Sequence, residues 1–490
     1  MQRRFDDCRG AYLTVYLSLV FGIILSLLLA LIEGAAAGAA KAQAELVADL
    51  GMDSVFAEYH RELLEQYGLF FIDSSYGTKS GGVGRIEQRL AYYMDKNLNP
   101  DSELSLINAA TLLRLDNPYL ETEELSYASD ENGDVWKAQA VNYMKAVYGG
   151  DIISTIERHL DTVNANELTT RDISAELEEQ KQKFDKLLSD EEITEYSGEE
   201  SEEGYSYDKI SDVADRIIGK GMLFLVLPQG SGLSAVSVDK GQYLSERMKS
   251  GHVNKGTGLR ADTEKPDSIV DELIYNEYLT RACGNYRNVK DGSLLNYELE
   301  YILCGNDSDI SNLRDCAERL FALRSVSNII YLLQDDVKKT EVEVIAAVIC
   351  TLLTVPEAAK VLSYIILAVW AMVEALDDVQ TLLDGGKVPL LKNSRSWGMG
   401  LTDAFDIKLS GGSRESEGLS YEDYLKIFLA LMNKKDKTLR SLDIVEMDIR
   451  QTEGNESFRI DNCADYMRTS FGFINSYGHE VVFDKEMCYE

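Results

Sequence analysis

The longest hydrophobic block of the chain, residues 11–32, contains neither a charge nor a proline. As a helix it is about 33 Å long, enough to cross a bilayer. Helix-favouring residues continue beyond it, and no proline occurs before Pro100. Met52, Phe56, Tyr59, Leu63 and Tyr67 keep helical spacing on one apolar face, and Gly68 stands where a helix would stop. The pattern predicts one long helix over 11–67, with residues 33–67 extending out of the lipid. Residues 69–73 read as a buried strand and 78–84 as a glycine-rich turn. Residues 85–97 and 136–148 read as helices.

The pattern then changes. Residues 161–208 are acidic and contain Glu199-Glu200-Ser201-Glu202-Glu203. Their first part predicts an exposed helix over 170–188. The second lacks apolar periodicity and is expected to be disordered, as an insertion or linker. Residues 222–227 read as a strand stopped by Pro228, 229–232 as a turn and 240–261 as a loop region. From Pro266 onward helices dominate. Val326, Ile329, Ile330, Leu333 and Val337 mark one amphipathic face. Tyr421, Tyr424, Leu425, Phe428 and Met432 mark another, with Ser420 as N-cap and Asp423 three residues on. Residues 344–355 and 361–373 are apolar but too short to span, which predicts buried core helices. Residues 466–474, 475–478 and 480–484 read as a hairpin with its turn.

The expected fold is therefore α+β and mostly helical. A cytoplasmic tail (1–10), a transmembrane helix (11–32) and its extension (33–67) precede an α+β part (68–160). The acidic insertion (161–208) and a helix-rich core with a C-terminal hairpin (209–490) follow.

Charge sharpens this picture. There are 49 basic and 83 acidic side chains, a net charge of -34. Such a chain repels phosphate backbones, so no nucleic-acid partner is expected. Arg3, Arg4 and Arg9 precede the apolar block and place the N-terminus in the cytoplasm, with the bulk outside. Ala35-Ala36-Ala37 and Ala37-Gly38-Ala39 could be signal-peptide cleavage sites, but a usual signal core has only ~7–15 apolar residues. An uncleaved anchor is the expectation. Of the seven cysteines none forms CxxC. Cys8 precedes the membrane segment, Cys350 reads as a buried small hydrophobe, and a Cys463–Cys488 bridge is one option.

Thr14, Ser18, Gly22, Ser26, Ala30, Gly34, Gly38 and Ala42 recur every fourth residue. Small residues let helices approach closely in lipid. Gly22, Ser26, Ala30, Gly34, Gly38 and Ala42 are accordingly the candidate helix-packing residues. Catalytic signatures are missing from the sequence. His60, His159, His252 and His479 lie far apart, and neither HExxH, GxSxG nor a Walker A pattern occurs. Gly82-Val83-Gly84 and Gly230-Ser231-Gly232 read as turns. Asp335-Asp336 and Asp377-Asp378 carry little information in so acidic a chain. Tyr275-Asn276-Glu277-Tyr278 and Trp397-Gly398-Met399-Gly400 read as packing and turn features. No catalytic, cofactor or metal residue is singled out, and a non-enzymatic role is expected.

Several stretches together resemble one family. They are residues 10–33, GMDSVFAEYHRELLEQYGLFFID at 51–73, YNEYLTRACGNY at 275–286 and LNYELEYILCG at 295–305. WAMVEALDDVQTLLDGGKVPLLK at 370–392 and GLSYEDYLKIFLALM at 418–432 complete them. The chain resembles a membrane-protein family of Gram-positive bacteria known as domain of unknown function 5702. That resemblance implies an association with tight-adherence (Tad) pilus gene clusters. The N-terminus is also similar to Tad pseudopilins, with a basic start, Gly10 and one apolar helix. It departs from them at Val15, where such proteins carry glutamate. The implied role is a structural or accessory subunit of a Tad-like pilus or secretion apparatus. Its partners would be other membrane-anchored subunits, met through the N-terminal helix in the lipid bilayer. The alternatives are an anchored ligand-binding or sensor domain and, less favoured, a cell-wall hydrolase.

Overall fold

The computed structural model describes residues 2–78, 80–98, 115–148, 160–165, 168, 171–189, 206–219, 226, 232–410, 417–475 and 478–489. The chain divides into two compact units. Met1–Trp136, Val253–Thr263 and Ser457–Glu490 form the first; Lys137–His252 and Glu264–Glu456 form the second. The fold is α+β and mostly helical, with one small antiparallel sheet.

The first unit carries α1 (Gln2–Phe56), α2 (Arg61–Tyr67), β1 (Ile72–Asp73), α3 (Val83–Leu98), β2 (Leu115–Tyr127), β3 (Cys463–Asn475) and β4 (Glu480–Cys488). Every other strand pairs with β3, all antiparallel. The core joins Val47, Met52 and Val55 of α1 to Ile86, Leu90 and Met94 of α3 and to Met467, Phe471 and Phe473 of β3. The expected hairpin is present as β3–β4, although Ser476 and Tyr477 of its turn lie outside the described residues. The Cys463–Cys488 staple is not formed. Neither residue is in a disulfide: Cys463 Sγ lies 3.8 Å from Arg459 O, Arg260 donates to Cys488 Sγ, and the register puts Cys488 opposite Tyr466.

The predicted unbroken helix to Tyr67 is two helices. A continuous helix needs the His60 amide on the Phe56 carbonyl. Instead His60 N donates to Phe71 O at 2.8 Å, and the Tyr489 hydroxyl donates to Phe56 O. The His60 ring then caps α2 by accepting from Leu63 N at 3.4 Å. Gly68 closes α2 at φ 71°, a left-handed conformation costly for residues with a Cβ. The apolar face survives the break, since Met52, Phe56, Leu63 and Tyr67 are all buried. Of the expected strand at 69–73 only Ile72–Asp73 pairs.

The second unit is built of α4 (Asp130–Tyr148, which begins in the first unit), α5 (Ile173–Ser189), α6 (Tyr207–Gly219), α7 (Leu244–Ser250), α8 (Ile269–Ala282) and α9 (Glu298–Cys304). It continues with α10 (Asp309–Gln334), α11 (Asp336–Leu352), α12 (Ala359–Leu383), α13 (Leu401–Phe405), α14 (Tyr421–Leu431) and α15 (Lys434–Ile449). α12 is central, packed by α5, α6, α10, α11 and α13. It is buried along almost its whole length, as expected for 361–373. In α11, by contrast, Val344 and Val348 are exposed.

Other expectations needed correction. The face of Val326 and Ile329 does not continue to Val337, which is 79% exposed. α10 stops at Gln334, and the Asp335 carboxylate accepts from Val337 N and Lys338 N to start α11 in a new direction. The region 240–261 is not simply loop, because α7 forms within it. Asp443 accepts from Ser245 N at 2.7 Å, and Gly251 terminates α7 at φ 74°. α5 is only half exposed, burying Ile173, Leu177 and Phe184. The capping box of α14 is as expected, with Ser420 and Asp423 satisfying each other's backbone amides. The expected strand at 222–227, except Val226, and the second part of the acidic segment up to residue 205 lie outside the described residues.

Candidate functional site

In α1 the side chains of residues 12–32 are exposed apart from a half-buried Val20. Leucine, isoleucine, valine and phenylalanine cover the helix on all sides. The packing residues expected from the sequence, Gly22, Ser26, Ala30, Gly34, Gly38 and Ala42, all lie on this helix and are all exposed. Ser18 and Ser26 donate to the carbonyls of Val15 and Ile23 at 2.8 Å, which satisfies their hydroxyls within the helix. A Cβ placed on Gly22, Gly34 or Gly38 would meet nothing within 4 Å. Among the described residues, no helix covers these six, all of which are exposed.

A different small-residue face of α1 does pack. Ala40, Ala44, Ala48 and Gly51 are buried. A Cβ on Gly51 would lie 2.9 Å from Met94 Cγ and 3.0 Å from Leu90 Cδ1, so α3 approaches as closely as a glycine allows. The four-residue spacing of those alanines was the available signal, and the sequence reading passed over it. The transition falls near Glu33. His479 Nε2 lies 3.1 Å from the Glu33 carboxylate, and Lys485 pairs with Asp49 at 2.9 Å. His479, just before β4, and Lys485 within it thus hold that end of the sheet against α1 at Glu33 and Asp49.

The second unit contains buried charge networks. Arg324, fully enclosed, donates to Asp378 at 3.1 Å and to the carbonyls of Pro389 and Leu390. Lys392 bridges Glu374 and Asp378, at 2.6 Å each. Burial alone would raise the Asp378 carboxyl, but Arg324 and Lys392 outweigh it and hold it below the usual range. Glu374 also accepts from Met399 N at 3.0 Å, and the indoles of Trp370 and Trp397 both donate to Met399 O. The Trp397–Gly400 segment packs through Met399, as expected, but the turn lies just before it at 394–396; Asp378 supports the segment through Lys392, whereas Asp377 accepts from Ser410. Glu272 of α8 holds two buried lysines, Lys137 and Lys437, the latter at 2.8 Å.

Other buried carboxyls behave differently, Glu300 and Asp443 among them. Burial pushes Glu300 up to about 7, although Tyr286 N and the Tyr421 hydroxyl donate to it. Burial likewise pushes Asp443 up to about 7, where it receives the Tyr301 hydroxyl. These groups change charge near neutrality inside the core, so they couple stability to pH. Of the histidines, His60 caps a helix, His252 meets Ser250 and His479 faces Glu33; His159 lies outside the described residues. Among the described residues, no group of three or more His, Cys, Asp or Glu is placed to hold a metal ion.

No curated protein and no solved structure matches the chain. One family model does, over residues 199–474. That span contains the stretches at 275–286, 295–305, 370–392 and 418–432. It leaves α1, α2 and α3 outside and takes in Glu199–Glu203 of the acidic segment, so the match covers less of the N-terminus than the resemblance suggested. Covering more than half of the chain, it shows that the protein belongs to a family of unknown function, DUF5702.

Proposed function

We propose that the protein is a non-enzymatic, membrane-anchored subunit of a Tad-like (type IV-related) pilus or secretion apparatus. The observation that carries this reading is the bare apolar cylinder of residues 12–32. α1 is long and apolar enough to serve as a membrane anchor or a signal sequence. Its exposed leucines and isoleucines form a far larger apolar surface than a soluble monomer tolerates, and lipid is the solvent that removes the cost. Arg3, Arg4 and Arg9 orient the N-terminus inward, which puts the acidic bulk outside the cell. The pilus assignment rests on the resemblance of the N-terminus to Tad pseudopilins, with its basic start, Gly10 and one apolar helix, from which Val15 departs.

The open glycines supply the test. Cysteines at Gly34 and Gly38 should crosslink in native membranes to other pilus or secretion subunits. A Gly34→Leu, Gly38→Leu double variant leaves the fold intact, since nothing lies within 4 Å of either position, and should assemble poorly. Normal assembly of that variant would contradict the reading.

A further inference from the structure

A cavity of about 580 Å³ opens within the second unit, where the C-terminus of α9 meets α10, α14 and α15. Its volume lies within the roughly 300–1,000 Å³ range of small-molecule sites. Two arginines mark its polar end. Arg319 Nη1 donates to Leu303 O at 3.4 Å, and Arg440 Nη1 donates to the same oxygen at 2.8 Å and to Ile302 O at 3.1 Å. Both guanidiniums therefore converge on one carbonyl. Neither has a carboxylate within ion-pair distance among the described residues, in a chain with 83 acidic side chains.

Capping the α9 carbonyls explains part of this arrangement. It uses one or two of the five N–H donors of each arginine and leaves two like charges side by side. Arg319 is exposed and Arg440 half-buried, so water reaches their remaining donors, and an anion bridging the two would replace that water and take those donors in the forked geometry that suits carboxylate and phosphate. A third lining arginine, Arg171, is already held by Glu176 and Tyr364. Asn433 and Asp436 aside, the rest of the wall is apolar. Phe428, Leu431 and Met432 line it, and Leu431 is 41% exposed. Asp436, one turn before Arg440 on α15, also lines the cavity and disfavours anions that do not reach the arginines.

We propose that this cavity binds a small amphiphilic anion, with a phosphate or carboxylate head on Arg319 and Arg440 and a short apolar tail against Phe428, Leu431 and Met432. The site goes beyond the anchoring role and does not depend on it. Calorimetry on the full chain in phosphatidylcholine nanodiscs tests it, with phenyl phosphate and hexanoate as probes. At least one should bind saturably, ten-fold or more tighter than inorganic phosphate. Leu431→Glu places a negative charge at an exposed position and should weaken binding at least ten-fold without shifting Tm. Asp436→Asn should strengthen it several-fold. Adding phosphatidylglycerol to the nanodisc names the source: competition with the probe assigns the head to lipid, and its absence assigns it to a soluble compound, the site standing in either case. Absence of saturable binding by both probes would overturn the proposal. So would equal affinity for inorganic phosphate, or affinity unchanged in both variants.

Discussion

α1 and α12 are both long and apolar enough to cross a membrane, yet their surroundings are opposite. In the most apolar stretch of α1 none of the residues is buried; for α12 the figure is 78%. Hydropathy alone does not distinguish an anchor from a core helix. What distinguishes them is the polar content and how it is matched. Residues 12–32 of α1 carry no charge at all. α12 runs past its apolar half into Glu374, Asp377 and Asp378, which are enclosed and answered by Lys392, Ser410 and Arg324. Those acids would be expensive in lipid. In the second unit they anchor the segments around Leu390, Met399 and Ser410.

The sharpest way to break the comparison is to place the same charge on both helices. Ile366→Arg buries an unpaired guanidinium in α12 and should cost more than about 4 kcal/mol, unfolding the second unit in chemical denaturation. Ile24→Arg in α1 should leave that transition unchanged and weaken membrane retention instead. Next in size is Arg324→Ala, which leaves Lys392 alone to answer both Glu374 and Asp378 and should cost about 3–5 kcal/mol by urea midpoint.

The pH response follows. A carboxyl whose folded pKa exceeds its unfolded value binds its proton more tightly when folded. Its contribution is complete below about 4.5 and is lost as pH rises through about 7 for Glu300. Glu300→Gln removes that loss. Between pH 4.5 and 8, the stability of the variant relative to wild type should rise by on the order of 3 kcal/mol, measured as paired denaturation curves. A difference independent of pH would contradict the assignment. The smallest effect contrasts two glycines of α1. Gly51→Leu must displace Met94 and Leu90 and should cost about 1–3 kcal/mol. Gly38→Leu should change folding stability by less than about 0.5 kcal/mol.

Local signals were legible and distant ones were not. Ser420 with Asp423, Gly68 and the β3–β4 pairing are specified within a few residues, and each appears where expected. β2 was not anticipated. Its partner is remote, as in the contact of Thr122 with Met467 across 345 residues, and Glu121, Glu123 and Glu124 hide its alternation. The end of α1 at Phe56 escaped for a similar reason, because Tyr489 and Phe71 redirect the hydrogen bonds there. The candidate packing residues all lie exposed on α1. The buried alanine face beside them became evident only with α3 in position.

The central claim is that residues 12–32 stay in the bilayer and hold the acidic bulk outside. It is tested most directly by alkaline extraction of native membranes combined with protease treatment of intact cells and N-terminal sequencing. The account predicts a full-length chain retained in the membrane pellet whose large C-terminal part is digested from outside. A soluble product beginning near Gly38, or a C-terminal part protected in intact cells and digested only after lysis, would contradict it.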